Sequence, residues 1–337
     1  MSAVTPLKPA DFASDQQVRW CPGCGDYAVL KSLQKTLAAV GVRPEVQVFV
    51  SGIGCSARMP YYLDTYGFHT IHGRAPAVAT GVKLASPDVD VWVVTGDGDG
   101  LSIGGNHLLH ALRRNVNLQI LLFNNEIYGL TKGQASPTSR PGTRSPSTPE
   151  GSLDSPVQPL RFALGAGARF VARAVDNDQK RLPAALEQAY RHQGAAFVEI
   201  FQNCIVYNDN VFGEFTDRDV AEDRQLHVVH GEPLVFGANR DRGLRLRPGS
   251  LSLEVVAVGE GGVAESELLR HDATDPVLAG LLASLSPPEF PVAMGVLLDR
   301  PGESYENQVH AREAAGRRPD DTALNALLRG GAVWSVS

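Results

Sequence analysis

Five short apolar runs rich in Val, Ile and Phe recur along the first two hundred residues, with segments of helical period between them. The runs cover residues 47–51, 89–95, 117–124, 169–175 and 195–201. The helical segments are "DYAVLKSLQKTLAAV" (26–40), "APAVATGVKLA" (75–85), "GGNHLLHALRR" (104–114) and "LPAALEQAYRH" (182–192). Runs of this kind are strands buried on both faces, and their alternation with helices gives parallel strands covered above and below. The expected fold class is α/β, a doubly wound and mostly parallel sheet. Ligands of such sheets bind beyond the carboxyl ends of the strands.

A chain of 337 residues can bury a large core. Its formal charge of −6 is spread along the sequence without a basic stripe carrying aromatics, which argues against a nucleic-acid partner. The opening stretch lacks the apolar core of a signal peptide, and no run is long enough to span a bilayer. A cytoplasmic protein without membrane contact is expected. Residues 1–215 read as the α/β domain, interrupted at 136–159 by a long Pro-, Ser- and Thr-rich loop. Residues 216–337 read as a C-terminal extension packing on the domain or on a partner subunit. Its "DPVLAGLLASLSPPEFP" is a short helix stopped by prolines.

The run at 89–95 leads into "VVTGDGDG" (93–100), which sets two acids among glycines at a strand end. Gly96, Gly98 and Gly100 let the backbone approach a ligand closely, and a helix beginning near Ser102 would aim N–H groups at an anion. Carboxylates there repel a phosphate unless a divalent cation lies between them, and magnesium takes hard oxygen ligands. Asp97 therefore predicts a metal. The next strand ends in Asn124 and Asn125 on the same sheet edge, where neutral amide oxygens complete an octahedron without further repulsion. Either half alone reads better as a plain strand-to-helix turn. Together, "GDG", 25 residues and then "NN" resemble the signature of thiamine diphosphate enzymes. That resemblance implies Mg2+ held by Asp97, Asn125 and the main-chain carbonyl of Ile127. Asp99 is then expected to orient the loop or the thiamine.

"WCPGCGD" supplies Cys21 and Cys24, "SGIGCSA" places Cys55 after the first strong strand, and "IFQNCIVYND" places Cys204 after the last. A CxxC pair with two remote cysteines can close a tetrahedral thiolate site, which both zinc and an iron–sulfur cluster accept. Structural zinc more often uses two local pairs in a small domain, so ligands scattered over a large sheet favour a 4Fe-4S cluster. A thioredoxin-like redox pair explains "CPGC" but leaves Cys55 and Cys204 without a role.

"WCPGCGD", "GIGCSAR", "HTIHGRAPAVATGVKLA", "TGDGDGLSIGGNHLLHALRRN" and "NNEIYGLTKGQASPTS", in this order, resemble the β subunit of two-subunit 2-oxoacid:ferredoxin oxidoreductases, most of all those acting on 2-oxoglutarate. The likeness runs from about residue 15 to about 215. It implies the thiamine diphosphate-binding (PP-type) fold and one 4Fe-4S cluster on Cys21, Cys24, Cys55 and Cys204. It further implies a thiamine site lined by Ile53, Gly54, Cys55 and Ser56, by His72, and by Gly96, Gly98, Asp99, Gly100 and Leu101. A third lining segment is Gly129, Leu130, Thr131, Lys132, Gly133 and Gln134. The implied reaction is CoA-acylating oxidative decarboxylation of 2-oxoglutarate to succinyl-CoA and CO2, with electrons passed through the cluster to ferredoxin. By the same resemblance, the pyrimidine-binding domain and the catalytic glutamate are expected from a separate α subunit, typically in an α2β2 assembly.

Substrate and coenzyme A are both anionic. Arg58 and Lys132 lie within the motif segments and are the candidate anion contacts. Three rival readings stay open on sequence grounds. One is the same machinery acting on pyruvate or a branched 2-oxoacid, another a non-redox thiamine-dependent lyase or decarboxylase with structural zinc, and a weaker third an electron-transfer module with no catalytic role.

Overall fold

The computed structural model describes residues 6–315, 321–331 and 334. The first five residues of the opening stretch and parts of the extension's tail lie outside them. The strands are β1 (Gln47–Ser51), β2 (Tyr66–His69), β3 (Asp90–Gly96), β4 (Gln119–Asn124), β5 (Phe170–Val175), β6 (Ala196–Phe201), β7 (Gln225–His227), β8 (Val235–Phe236), β9 (Arg242–Leu246), β10 (Leu253–Ala257) and β11 (Val292–Asp299). The helices used below are α1 (Asp26–Val40), α2 (Ala75–Ala85), α3 (Asp97–Leu101), α4 (Gly105–Arg114), α5 (Pro159–Gly165) and α6 (Arg181–Arg191).

Eight strands form one sheet in the order β2-β1-β3-β4-β6-β5-β11-β7. The first six are mutually parallel, whereas β11 runs antiparallel to β5 and carries β7 beside it. Alternate residues divide each central strand between two cores. Val48, Val50, Val91, Val93, Ile120 and Leu122 face one side, packed with side chains of α2, α4 and α5. Phe49, Trp92, Val94, Leu121 and Phe123 face the other, under Val29, Leu33 and Leu37 of α1 and Leu182 and Leu186 of α6. Both faces are dry, which is why the strand sequences read as continuous apolar runs.

The chain from residue 216 onward joins this sheet through β7 and β11 and adds a separate three-stranded antiparallel sheet, β10-β9-β8. The helix Pro276–Ala283 is N-capped by Asp275, whose side chain accepts from the N–H groups of Val277 and Leu278. No helix among the described residues is long and apolar enough to cross a membrane.

One local expectation changes. The helix foreseen near Ser102 starts five residues earlier, as α3 at Asp97 directly after β3, and α4 follows from Gly105. Glycine-rich "DGDGL" is a poor helix by propensity. It is held by Asp99, which accepts Thr95 Oγ1 at 2.6 Å, the Gly73 N–H at 2.7 Å and the Ile53 N–H at 3.1 Å.

Candidate thiamine and metal site

The carboxyl ends of β1, β3 and β4 open onto one cavity of about 570 Å³. Ile53 to Ser56 bring the loop after β1 to it, Asp97 starts α3 on its floor, and Asn125 and Ile127 enter from the end of β4. The pairing of β3 with both β1 and β4 makes these three loops neighbours.

Asp97 is 2 % exposed, and its Oδ2 accepts Thr138 Oγ1 at 2.5 Å and Ser136 Oγ at 2.6 Å. Burial pushes its carboxyl up to about 6 despite these hydroxyls. Among the described residues no basic side chain bonds it. A buried carboxylate with only neutral partners suits a cation. Asn125 donates Nδ2 to Gln202 Oε1 at 2.7 Å and accepts the Ile127 N–H on Oδ1 at 3.2 Å, which leaves that oxygen a second lone pair. The Ile127 carbonyl accepts no hydrogen bond among the described residues although the residue is buried. Carboxylate, amide oxygen and main-chain carbonyl form the hard donor set that magnesium takes.

The second cavity, about 170 Å³, lies beside the first and is lined by Cys21, Cys24, Cys55 and Cys204 together. Cys55 borders both cavities. The loop after β4 presses close: a Cβ at Gly129 would stand 3.3 Å from Cys204 Sγ and 3.8 Å from Cys55 Sγ. Burial, and then Asp26, push the Cys24 thiol far above its ordinary range, and the same two causes raise Cys55 to about 11. The thiols share a cavity without forming a finished cage. Among the described residues no group of three or more His, Cys, Asp or Glu side chains has the convergence of a metal site.

The description "Thiamine pyrophosphate enzyme, C-terminal TPP binding domain" matches residues 52–200, the stretch that builds the first cavity. The 2-oxoglutarate oxidoreductase subunit KorB of Mycobacterium tuberculosis is 51 % identical over 337 residues, covering 98 % of this chain and 89 % of that protein. The chain belongs to the 2-oxoacid:ferredoxin oxidoreductase β-subunit family. Within it, 2-oxoacid:ferredoxin oxidoreductase 1 subunit beta of Aeropyrum pernix is 44 % identical over 206 residues, 61 % of this chain and 65 % of the relative. A solved structure, 2-oxoglutarate:ferredoxin oxidoreductase from Magnetococcus marinus with 2-oxoglutarate, coenzyme A and succinyl-CoA bound, superposes with a TM-score of 0.77. It is 33 % identical and the match covers 98 % of both chains.

The family's motif segments are not equally placed. Ile53, Gly54, Ser56, Gly96, Gly98 and Asp99 line the first cavity, with His72 exposed at its rim. Gly129, Leu130, Thr131 and Gln134 line it from the loop after β4. Gly100 and Leu101 do not, because one turn of α3 carries them away from Asp97. A Cβ at Gly100 would meet Thr95 and Leu122, and Leu101 packs on the core. Gly133 lies under the Tyr207 ring, and Lys132 is exposed at φ +73°. Arg58 borders the cysteine cavity, its Nη1 donating to the Arg19 carbonyl at 2.6 Å.

Other participants escape the motif reading. Tyr128 lines the cavity and donates its hydroxyl to the Gly98 carbonyl at 3.1 Å, its ring so close that a Cβ at Gly98 would stand 2.1 Å from it. The absent side chain at Gly98 thus makes room for Tyr128, not only for a ligand. Asp26, 1 % exposed, lines the same cavity, and its Oδ2 has no partner. Its place directly after "CPGCG" was the available signal. For Ser136 and Thr138 the signal was the run of hydroxyls following "GLTKGQ".

Proposed function

We propose that this chain is the β subunit of a CoA-acylating 2-oxoglutarate:ferredoxin oxidoreductase, converting 2-oxoglutarate to succinyl-CoA and CO2 in a reaction reversible in principle. One observation carries the chemistry: a buried Asp97, Asn125 and the Ile127 carbonyl meet on one cavity while four cysteines line the next. Asp97, Asn125 and the Ile127 carbonyl would hold Mg2+ against the diphosphate. The loop Ile53–Ser56 and the loop after β4 would enclose the thiazolium end of thiamine diphosphate, and Cys21, Cys24, Cys55 and Cys204 would hold one 4Fe-4S cluster. When bound, the thiamine supplies the nucleophilic carbon that releases CO2 from a 2-oxoacid, and the cluster takes the electrons one at a time toward ferredoxin.

The chain's own residues bind and orient. Asp99, itself held by Thr95 Oγ1 of β3, fixes the loops after β1 and β2 on the floor of the cavity through the N–H groups of Ile53 and Gly73. Tyr128 closes the side beside Gly98. Lys132 and Arg58 would meet the anionic groups of substrate or coenzyme A. The glutamate needed to activate thiamine would come from an α subunit in an α2β2 assembly.

The test is an anaerobic assay of the chain co-expressed with its α subunit, using a panel of 2-oxoacids. Ferredoxin reduction should depend on coenzyme A, Mg2+ and thiamine diphosphate, and 2-oxoglutarate should give the highest kcat/KM. Preference for pyruvate would overturn the substrate. Decarboxylation without electron transfer would overturn the reaction.

A further inference from the structure

Arg173 and Glu199 face each other across β5 and β6, buried to 6 % and 1 % exposure. A charged pair in a sheet interior costs desolvation that apolar residues at the same register would avoid. Its partners suggest what it does there. Glu199 Oε2 takes Arg173 Nε at 2.8 Å, and Oε1 takes Nδ2 of Asn124 at 2.8 Å. The Asn124 amide is therefore fixed nitrogen-first toward Glu199, with its oxygen turned to the opposite side. There Oδ1 accepts the Glu126 N–H at 3.3 Å and stands 3.1 Å from Thr138 Oγ1. Thr138, with Ser136, is what holds Oδ2 of Asp97. Arg173, Glu199, Asn124, Thr138, Ser136 and Asp97 are each at most 8 % exposed.

We infer that Glu199, backed by Arg173, is a positioning residue for the metal-binding carboxylate. It orients Asn124, whose Oδ1 takes a share of the single Thr138 hydroxyl proton and so seats that side chain; Thr138, donating mainly to Asp97, occupies with Ser136 one oxygen of Asp97 and leaves the other for the cation. The Arg173 guanidinium is itself fixed 5.2 Å over the Phe201 ring. Glu199→Gln breaks the device, because an amide cannot accept from Arg173 and from Asn124 through two separate oxygens. This inference rests on the reading of Asp97 as a magnesium ligand.

The experiment uses the anaerobic complex with its α subunit, stripped of thiamine by chelation and returned to a fixed thiamine diphosphate concentration. Bound thiamine is measured after rapid gel filtration while Mg2+ is varied. Glu199→Gln should raise the Mg2+ midpoint about ten- to hundredfold, the usual scale for groups supporting metal ligands, with iron content unchanged. Thr138→Val should raise it similarly, and the two together should do little more than either alone, because they act through one chain of contacts. If Glu199→Gln does not fold, the paired change Arg173→Met with Glu199→Leu removes the acceptor for Asn124, leaves no unbalanced charge and carries the same expectation. An unchanged midpoint in a folded variant, or fully additive shifts, overturns the inference alone. A wild-type complex that retains thiamine without Mg2+ overturns the functional reading and this inference with it.

Discussion

The two buried acids at the carboxyl end of β3 are matched to donors, whereas the buried acid that follows the CxxC loop is not. Asp99 spends its oxygens on Thr95, Ile53 and Gly73, and Asp97 has two hydroxyls on Oδ2. In the same cavity but directly after the CxxC loop, Asp26 Oδ2 has no partner and burial pushes that carboxyl up to about 7. The neighbouring Cys24 and Cys55 thiols are raised by burial and by Asp26. Buried polar groups are normally satisfied, and those that are not mark places where something else completes the site. On the proposed reading, the loop that would cradle the diphosphate is completed by the protein itself, and the surroundings of the cysteines are completed by what they would bind.

The two regions should therefore fail separately. The largest effect is expected from Asp97→Ala, which should weaken thiamine retention by more than about a hundredfold, beyond the scale of supporting residues. Visible absorption from the proposed cluster should survive, and joint loss of both would break the distinction. Cys24→Ser should remove most of the iron and the visible absorption while bound thiamine, measured by extraction, stays near one per chain. Gly98→Ala sharpens the claim that the cradle is packed by protein: forcing a methyl against Tyr128 should cost about 1–3 kcal/mol by denaturant titration. Tyr128→Ala should recover much of that loss, and no recovery would assign Gly98 to the ligand instead.

The smallest effect lies away from both cavities. Burial, and then Arg181, lower the His227 imidazole from 6.5 to about 4, so the folded state holds it neutral while the unfolded chain takes a proton. Stability should fall as pH drops through 6.5 toward 4. His227→Gln should flatten that limb of Tm against pH without changing thiamine or iron content. An identical acid limb would place the titration elsewhere.

Much of this was legible in the residues. Runs apolar on both faces marked β1, β3, β4, β5 and β6 within a residue or two, since a buried parallel strand needs no polar alternation. The edge strand β2 was hidden because "YGFH" is exposed along its length. β11 was hidden because Gly295 sits at φ +102° and the register shifts between Val296 and Leu298. That Asp97 and Asn125 would come together at one sheet edge was readable from spacing. Ser136 and Thr138 were not, because they stand in a Ser- and Pro-rich stretch and meet Asp97 across 39 and 41 residues of chain. Arg173 and Glu199 were single charges inside apolar runs, and only the strand register shows that they face each other.

The most direct test of the central claim, two adjoining sites with separate occupants, is an anaerobic iron, zinc and thiamine analysis of the chain purified with its α subunit. About four irons and one thiamine per β chain are expected, with no zinc. Zinc in place of iron, or thiamine absent from a folded complex that holds its iron, would contradict the account.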